Sequence, residues 1–176
     1  NKVIFQNNND LNYFVSNKII SKKKCLIIPG SGVDINFFKF KKLNIKNKFN
    51  LNFLCISRLI KHKGIVEFIQ AAKMIKKEYP DTTFTLIGSI DLEYNNSLNK
   101  DSLKDLDSYI NHINFTENII KFIEKCDCFV LPSYREGTSR SLLEAASTGR
   151  PIVTTDVPGC NNIVLDNYNG YLCKPK

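Results

Sequence analysis

Histidine and methionine are scarce in this chain of 176 residues, which has two histidines, one methionine and no tryptophan. The scarcity of histidine argues against a common zinc site, because His62 and His112 are far apart in the sequence. The closest cysteine pair, in Cys126-Asp127-Cys128, lacks the two-residue spacer of such sites. We therefore expect the protein to bind no metal and to need no cofactor.

Long hydrophobic runs are also missing. No apolar run approaches the roughly 18 residues that a membrane-spanning helix requires. The N-terminal residues NKVIFQNNND lack the layout of a signal peptide. Three of the six cysteines, Cys25, Cys55 and Cys128, lie in short apolar runs, where a free thiol is typically a small buried hydrophobe. We expect reduced cysteines, a cytoplasmic protein and a core supplied by the 43% of residues that are apolar.

Acidic residues are rare in the first quarter of the chain. Residues 1–48 contain ten lysines but only Asp10 and Asp34 as acids, a net charge of +8, whereas residues 49–176 contain 15 basic and 15 acidic residues. A solvated lysine surface is the simplest interpretation, and contact with a membrane or an anionic acceptor is the alternative. Nucleic acid is not expected, because all four arginines lie outside this region.

Short apolar runs alternate with segments of helical periodicity, which predicts an α/β fold with a Rossmann-like parallel sheet and flanking helices. The clearest helix covers residues 65–79, where Ile65, Phe68, Ile69 and Ala72 recur at spacings of three and four. Pro29 and the glycines after it break the pattern, so residues 29–48 are predicted to be a linker. The other predicted strands cover residues 3–5, 26–28, 49–56, 83–87, 113–115, 128–131, 152–155 and 171–173. Three further helices are predicted, one capped by Asp10, one that starts at Glu117 and one whose apolar positions begin at Leu142, and Asn169-Gly170 is predicted to form a tight turn.

Residues 131–151, LPSYREGTSRSLLEAASTGRP, are predicted to form a strand end, a loop and a helix that Gly149 and Pro151 end. Ligands of such folds bind beyond the carboxyl ends of the strands. Glu136 in the loop and Glu144 in the helix are separated by seven residues, and because Gly137 lets the chain turn, both could line one pocket. The alternative for Glu144 is a capping box with Ser141, which needs no ligand.

The order of these residues resembles a known signature. Glu136-Gly137, then LEAA at residues 143–146 and GRPIV at residues 149–153, is similar to the sugar-nucleotide signature of family 4 retaining glycosyltransferases of the GT-B fold. Gly32-Val33-Asp34 resembles the turn where the first domain of these proteins leads into the second. The resemblance implies that residues 1–45 are the tail of a first domain with the interdomain linker. Residues 46–176 would then be the Rossmann-like nucleotide-sugar-binding domain, truncated at its C-terminus.

The resemblance also implies roles for individual residues, with Arg58, Lys63 and Glu136 as the catalytic ones. Arg58 and Lys63 keep the family's spacing after a strand and would bind the donor diphosphate, where two cations stabilise the departing charge without a metal. Glu144 would hold the ribose hydroxyls, and Glu136 would bind hydroxyls of the transferred sugar. Gly137 and the amides of Thr138, Ser139 and Arg140 would contact the sugar and the phosphate. Thr116 would lie beside the nucleobase, at a position where the family usually has glycine.

The implied activity is transfer of a sugar from a nucleoside diphosphate, commonly uridine diphosphate (UDP), to a glycan or polyprenyl-linked acceptor in the synthesis of bacterial surface polysaccharide. The implied location is the cytoplasm, at the inner face of the membrane. Without the N-terminal domain, this part alone is expected to be inactive. Two alternatives stay open at this point, a GT-B epimerase or phosphorylase, which the paired glutamates disfavour, and a non-catalytic nucleotide-binding or scaffold domain.

Overall fold

A six-stranded parallel sheet with helices around it forms most of the structure, a computed structural model that describes residues 1–44, 50–90, 98 and 106–175. The last residues of the predicted linker, 45–48, and the predicted strand start at Phe49 lie outside this part. The strands are β3 (Asn52–Ile56), β4 (Thr83–Ile87), β5 (Asn111–Ile113), β6 (Cys128–Leu131), β7 (Ile152–Thr155) and β8 (Gly170–Cys173). The helices are α2 (Ile65–Glu78), α3 (Leu106–Tyr109), α4 (Ile119–Lys125) and α5 (Arg140–Ser147). The predicted Rossmann-like fold is confirmed.

The order of the strands places a crevice at the centre of the sheet. The order is β5-β4-β3-β6-β7-β8, so the chain builds outward from β3 in one direction and from β6 in the other. Phe53 is in register with Cys128, and Leu54 with Phe129, which makes β3 and β6 direct neighbours. The loops that follow these two strands therefore meet at the switch point, where ligands of open α/β sheets bind.

The N-terminal residues form a smaller unit of two parallel strands and a helix. Strand β1 (Val3–Phe5) pairs with β2 (Cys25–Ile27), and helix α1 (Asn8–Ser16) lies between them in the sequence. Asn7 caps this helix by accepting a hydrogen bond from the Asp10 amide at 2.8 Å. The prediction that Asp10 is the cap is therefore wrong, because the asparagine three residues earlier already satisfies that amide.

The core lies between the sheet and its helices, and aromatic rings bring β3, β4 and α2 together. The rings of Phe53 and Phe84 stack with centroids 4.8 Å apart, and Phe68 meets Phe84 edge-on at 5.9 Å. Helix α2 buries Ile65, Phe68, Ile69 and Ala72, which confirms the face predicted from the spacing. Burying a side chain such as Phe68 contributes about 1.5–3 kcal/mol, so this helix is firmly seated on the sheet.

Four strands differ from their predicted bounds. Strand β2 covers residues 25–27 rather than 26–28, and β3 begins only at Asn52 within the predicted range 49–56. Strand β5 ends at Ile113 rather than at Phe115, which is 77% exposed, because the apolar pattern there is too short to fix a boundary. Strand β8 begins at Gly170 and runs parallel to β7, so the turn at Asn169-Gly170 does not make a hairpin. Close packing explains this glycine, since a Cβ there would lie 2.0 Å from the Ile152 oxygen.

Residues 34–41, here called the anchor segment, are fixed to the sheet part of the structure. Phe38 belongs to its core, its carbonyl accepts a hydrogen bond from Ser147 Oγ at 2.6 Å, and the Lys41 amide donates to the Thr148 oxygen at 3.2 Å. Arg150, 4% exposed, donates to the carbonyls of Lys41, Glu124, Cys126 and Thr148. One buried guanidinium thus joins the anchor segment to the ends of α4 and α5, where the helix dipoles favour a cation.

Candidate functional site

Lys63 and Glu136 meet where the loops after β3 and β6 come together. The Lys63 ammonium lies 2.6 Å and 2.7 Å from the two carboxylate oxygens of Glu136, and the side chains are 17% and 11% exposed. Residues 73 apart in the sequence are therefore paired in a partly dry crevice, where charges interact more strongly than at an open surface. The structure thus brings together two of the three predicted catalytic residues.

Close backbone packing holds the two loops against each other. Gly64 has a φ of +70°, and a Cβ there would lie 1.9 Å from the Pro132 oxygen, so only glycine fits. The Tyr134 amide donates to the His62 oxygen at 2.8 Å, and Ser133 Oγ donates to the same oxygen at 3.2 Å. These contacts lie on either side of Lys63 and just before Glu136, so the fold fixes the loops that carry the ion pair.

The loop after β7 supports Glu136 and the start of α5 from a second side. The Glu136 amide donates to the Pro158 oxygen, and the Ser139 amide donates to the Gly159 oxygen, each at 3.1 Å. The Ser139 amide is thus already bonded within the fold. Within the described ranges, the amides of Thr138 and Arg140 make no such bond, which leaves these two of the three predicted amides for a ligand.

Glu144 is a buried acid on α5 and does not form the capping box considered above. The N-cap is Ser139, whose Oγ accepts from the Leu142 amide, so Glu144 lies too far into the helix to reach back to the cap. Its carboxylate instead accepts from Arg140 Nε at 3.2 Å. Glu144 is 7% exposed, and burial raises its pKa, an effect that Arg140 opposes. A buried acid with an exposed partner is suited to accepting hydrogen bonds from a ligand.

The two glutamates line different cavities of the described residues. Glu136 lines a cavity of about 450 Å³, with Asp10, His62, Arg135 and Gly137, here called the sugar cavity after the role proposed for it below. Glu144 lines one of about 530 Å³, here called the nucleoside cavity, also after its proposed role. Ser139, 4% exposed, lies between the glutamates in the sequence and lines neither cavity. The nucleoside cavity is completed by Ser31, Gly32, Val33, Asp34, Phe37, Phe38, Glu117, Ile119 and Arg140.

The other predicted residues lie around these cavities. Arg58 is exposed in the loop after β3. Burial lowers the pKa of His62, as do the charges of Lys63 and, least, Arg58, while Glu136 opposes this effect. Thr116 accepts from the Asn118 amide at 3.1 Å in the turn before α4. Thr116 does not line the nucleoside cavity, whereas its neighbour Glu117 does. A larger cavity of about 600 Å³, beside Arg150 and Tyr171, contains none of the predicted site residues.

Sequence reasoning missed the contacts of the N-terminal unit with the loop after β6. Asn7, 2% exposed, donates to the Gly137 oxygen at 3.0 Å, and Asp10 forms an ion pair with Arg135. A Cβ on Gly137 would lie 2.0 Å from Gln6 Oε1. The only sequence signal is the polar run QNNND after an apolar strand. These contacts place the N-terminal unit at the wall of the sugar cavity.

Comparison with known proteins identifies the family. Residues 36–176 match the model of the family described as glycosyl transferases group 1. The chain belongs to this family. It is 31% identical over 182 residues to the N,N'-diacetylbacillosaminyl-diphospho-undecaprenol alpha-1,3-N-acetylgalactosaminyltransferase of Campylobacter jejuni, covering 93% of this chain and 44% of that protein. It is 28% identical to the capsular polysaccharide biosynthesis glycosyltransferase CapM of Staphylococcus aureus, covering 90% and 44% of the two chains.

Solved structures show the same fold. The chain superposes on Anabaena HepE in complex with UDP-glucose with a TM-score of 0.77 at 20% identity, covering 99% of this chain and 50% of that one. The C-terminal domain of the group 1 glycosyltransferase LpcC of Francisella tularensis matches with a TM-score of 0.66 at 26% identity, covering 82% and 81%. The second-domain GT-B fold expected from the sequence is therefore confirmed. This group 1 glycosyltransferase chain spans about half the length of the curated relatives it matches.

The described residues offer neither a cluster of metal-binding side chains nor a membrane-spanning helix. No group of three or more His, Cys, Asp or Glu side chains in the described ranges is placed to hold a metal ion. Among the helices of those same ranges, none is long and apolar enough to cross a membrane.

Proposed function

We propose that this chain is the donor-binding part of a retaining glycosyltransferase that uses a UDP-sugar. The observation that carries the proposal is the Lys63–Glu136 pair at the switch point, beside a cavity that contains the buried acid Glu144. A cation and a carboxylate in contact offer one group for phosphate oxygens and one for sugar hydroxyls. The HepE structures, which contain UDP or UDP-glucose, support the choice of nucleotide.

The proposed reaction uses each charged residue at a different point. Arg58 and Lys63 bind the diphosphate and stabilise the negative charge that grows as the bond from the sugar to the phosphate breaks. Glu136 accepts hydrogen bonds from the sugar, and Glu144 accepts them from the ribose in the nucleoside cavity. Because two cations serve the leaving group, the proposed chemistry needs no divalent ion.

The proposed acceptor is a glycan or a polyprenyl-linked sugar in the synthesis of surface polysaccharide. Support comes from relatives whose names include diphospho-undecaprenol acceptors or capsular polysaccharide. We propose residues 1–45 as the tail of the acceptor-side domain with the linker, and residues 46–176 as the donor domain. A protein that acts on such acceptors would work at the inner face of the membrane, and the ten lysines of residues 1–48 would favour that contact.

Calorimetry of the parent chain with UDP in the presence of a chelator tests this function. We expect binding that added magnesium or manganese does not strengthen. Arg58→Ala should weaken UDP binding by roughly 1.5–3 kcal/mol, the effect of a lost charged hydrogen bond. Lys61→Ala, which removes an exposed charge from the same turn, should have little effect. No binding of UDP by the parent, or binding only with metal, would contradict the proposal.

A further inference from the structure

The side chain of Tyr134 reaches from the loop after β6 to helix α2. Its hydroxyl donates to Glu67 Oε1 at 2.7 Å, and both residues are half-buried. Glu67 lies in the first turn of α2, three residues after Gly64. A hydroxyl bonded to a carboxylate makes a short, charge-assisted hydrogen bond, and this one raises the pKa of Tyr134. The contact therefore joins two elements that are distant in sequence.

The backbone of the same tyrosine holds the other side of the Lys63 turn. Its amide donates to the His62 oxygen at 2.8 Å. Tyr134 thus bonds to the residue just before Lys63 and to a residue four positions after it. Because Glu136 is only two residues after Tyr134, one residue contacts both sides of the turn that carries Lys63 and lies close to Glu136 in the sequence.

We propose that Tyr134 and Glu67 are a positioning pair, whose hydrogen bond sets the distance between the Lys63 ammonium and the Glu136 carboxylate. The inference rests on the proposed function, in which these groups hold the phosphate and the sugar of the donor. Neither Tyr134 nor Glu67 lines the sugar cavity or the nucleoside cavity. They act on the donor through the turn that they hold, since small errors in placing charged groups reduce binding and catalysis.

The fold offers a way to separate positioning from general stability. Tyr134→Phe removes one oxygen and keeps the ring, the hydrogen bond from the backbone amide to the His62 oxygen, and the contact of Gly64 with Pro132. Tyr168→Phe makes the same chemical change at a tyrosine that is 85% exposed and therefore serves as the control. Glu67→Gln keeps the shape of the second partner and removes its charge.

The first measurement is amide hydrogen exchange without ligand. The Lys63 amide bonds to the Ile60 oxygen and the Gly64 amide to the Lys61 oxygen, each at 3.0 Å, so their exchange reports how firmly the turn is held. We expect exchange about tenfold faster at both amides in Tyr134→Phe and Glu67→Gln, with the amides of β3 and the Tyr168→Phe protein unchanged. Unchanged exchange at Lys63 and Gly64 would overturn the proposal, whether or not the protein binds nucleotides.

The second measurement compares UDP with uridine by NMR titration. In the proposed function, UDP binding depends on Lys63, whereas uridine binding depends on the nucleoside cavity. We therefore expect Tyr134→Phe to weaken the affinity for UDP about three- to tenfold and the affinity for uridine less than twofold. The double variant with Glu67→Gln should be no worse than either single one, because both remove the same bond. Equal losses for the two ligands would show a purely structural role. If the parent binds neither, the proposed function fails while the exchange result still decides this inference.

Discussion

Glu144 combines deep burial with a partner that is largely in solvent. Its carboxylate accepts from Arg140, whose side chain is 77% exposed, so the cation compensates the cost of burial only weakly. The pKa of Glu144 is raised for this reason. An acid kept in such a place is unfavourable for the fold alone, which is typical of a residue that serves a ligand.

Glu144→Gln tests this role at the level of one residue. The amide replaces an acceptor oxygen with a donor, so a ribose hydroxyl would lose its partner. Uridine and UDP affinity should both fall by about 1–3 kcal/mol, as for a buried hydrogen bond. Titration of the two ligands into parent and variant measures the change, and equal affinities would exclude Glu144 from the ribose site.

The same variant makes a prediction about stability and pH. A raised pKa means that the folded chain binds the proton of Glu144 more readily than the unfolded chain does. The ionised form therefore reduces stability above the folded pKa, and the reduction disappears as pH falls toward the ordinary value of 4.5. We expect Glu144→Gln to have a Tm at pH 7 equal to or above that of the parent, with the difference narrowing in acid. A clearly lower Tm would identify Glu144 as a stabilising group.

At the scale of elements, the two central loops depend on how closely the turn before α2 approaches β6. Gly64 and Gly32 have almost the same φ, +70° and +73°, but different surroundings. A Cβ on Gly64 would meet the Pro132 oxygen at 1.9 Å, whereas one on Gly32 would have nothing within 4 Å. The pair separates the effect of backbone conformation from the effect of close packing.

Replacing each glycine with alanine should therefore lower the free energy of unfolding by unequal amounts. The cost of a left-handed alanine, about 1–2 kcal/mol, is common to both. Gly64→Ala should lower the free energy of unfolding by about 1–3 kcal/mol more, because the two loops must separate to admit the methyl group. Urea unfolding measures both variants. Equal losses would mean that the loops adapt without cost.

Much of this element structure could be predicted from the sequence, because α2, β6 and α5 have strong local patterns. The positions of Lys63 and Glu136 followed from that framework and from the motif. The Asn7 cap, the division into two cavities and the bond from Tyr134 to Glu67 could not be predicted. Each depends on residues that are distant in sequence, or on a choice between neighbouring polar residues that apolar periodicity does not make.

For the whole molecule, the uneven distribution of charge leads to a prediction about membranes. Lys22, Lys23 and Lys24 are consecutive, exposed and part of the lysine-rich first quarter. Each lysine near an anionic surface contributes about 1 kcal/mol. Changing all three to glutamate should abolish co-sedimentation with phosphatidylglycerol vesicles at low salt.

A matched variant controls for net charge in this experiment. Lys61, Lys77 and Lys121 are exposed and lie outside the first quarter, so changing them to glutamate alters the total charge by the same amount. That variant should still co-sediment with the vesicles. In the parent, vesicle binding should decrease as salt is added. Equal loss in both variants would mean that net charge alone, rather than the first quarter, attracts the lipid.

The hydrogen bonds of Arg150 limit where the N-terminal unit could rotate relative to the sheet. Because the anchor segment is tied to the ends of α4 and α5, a rotation of the N-terminal unit must use the residues before Asp34. There Gly30 and Gly32 have φ of +73°. Asp34, Phe38 and Glu144, in the nucleoside cavity, all lie on the sheet side of this pivot, whereas the sugar cavity has Asp10 on the far side. An outward rotation of the N-terminal unit would therefore take Asp10 away from the sugar cavity, and it would leave Asp34, Phe38 and Glu144 together in the nucleoside cavity.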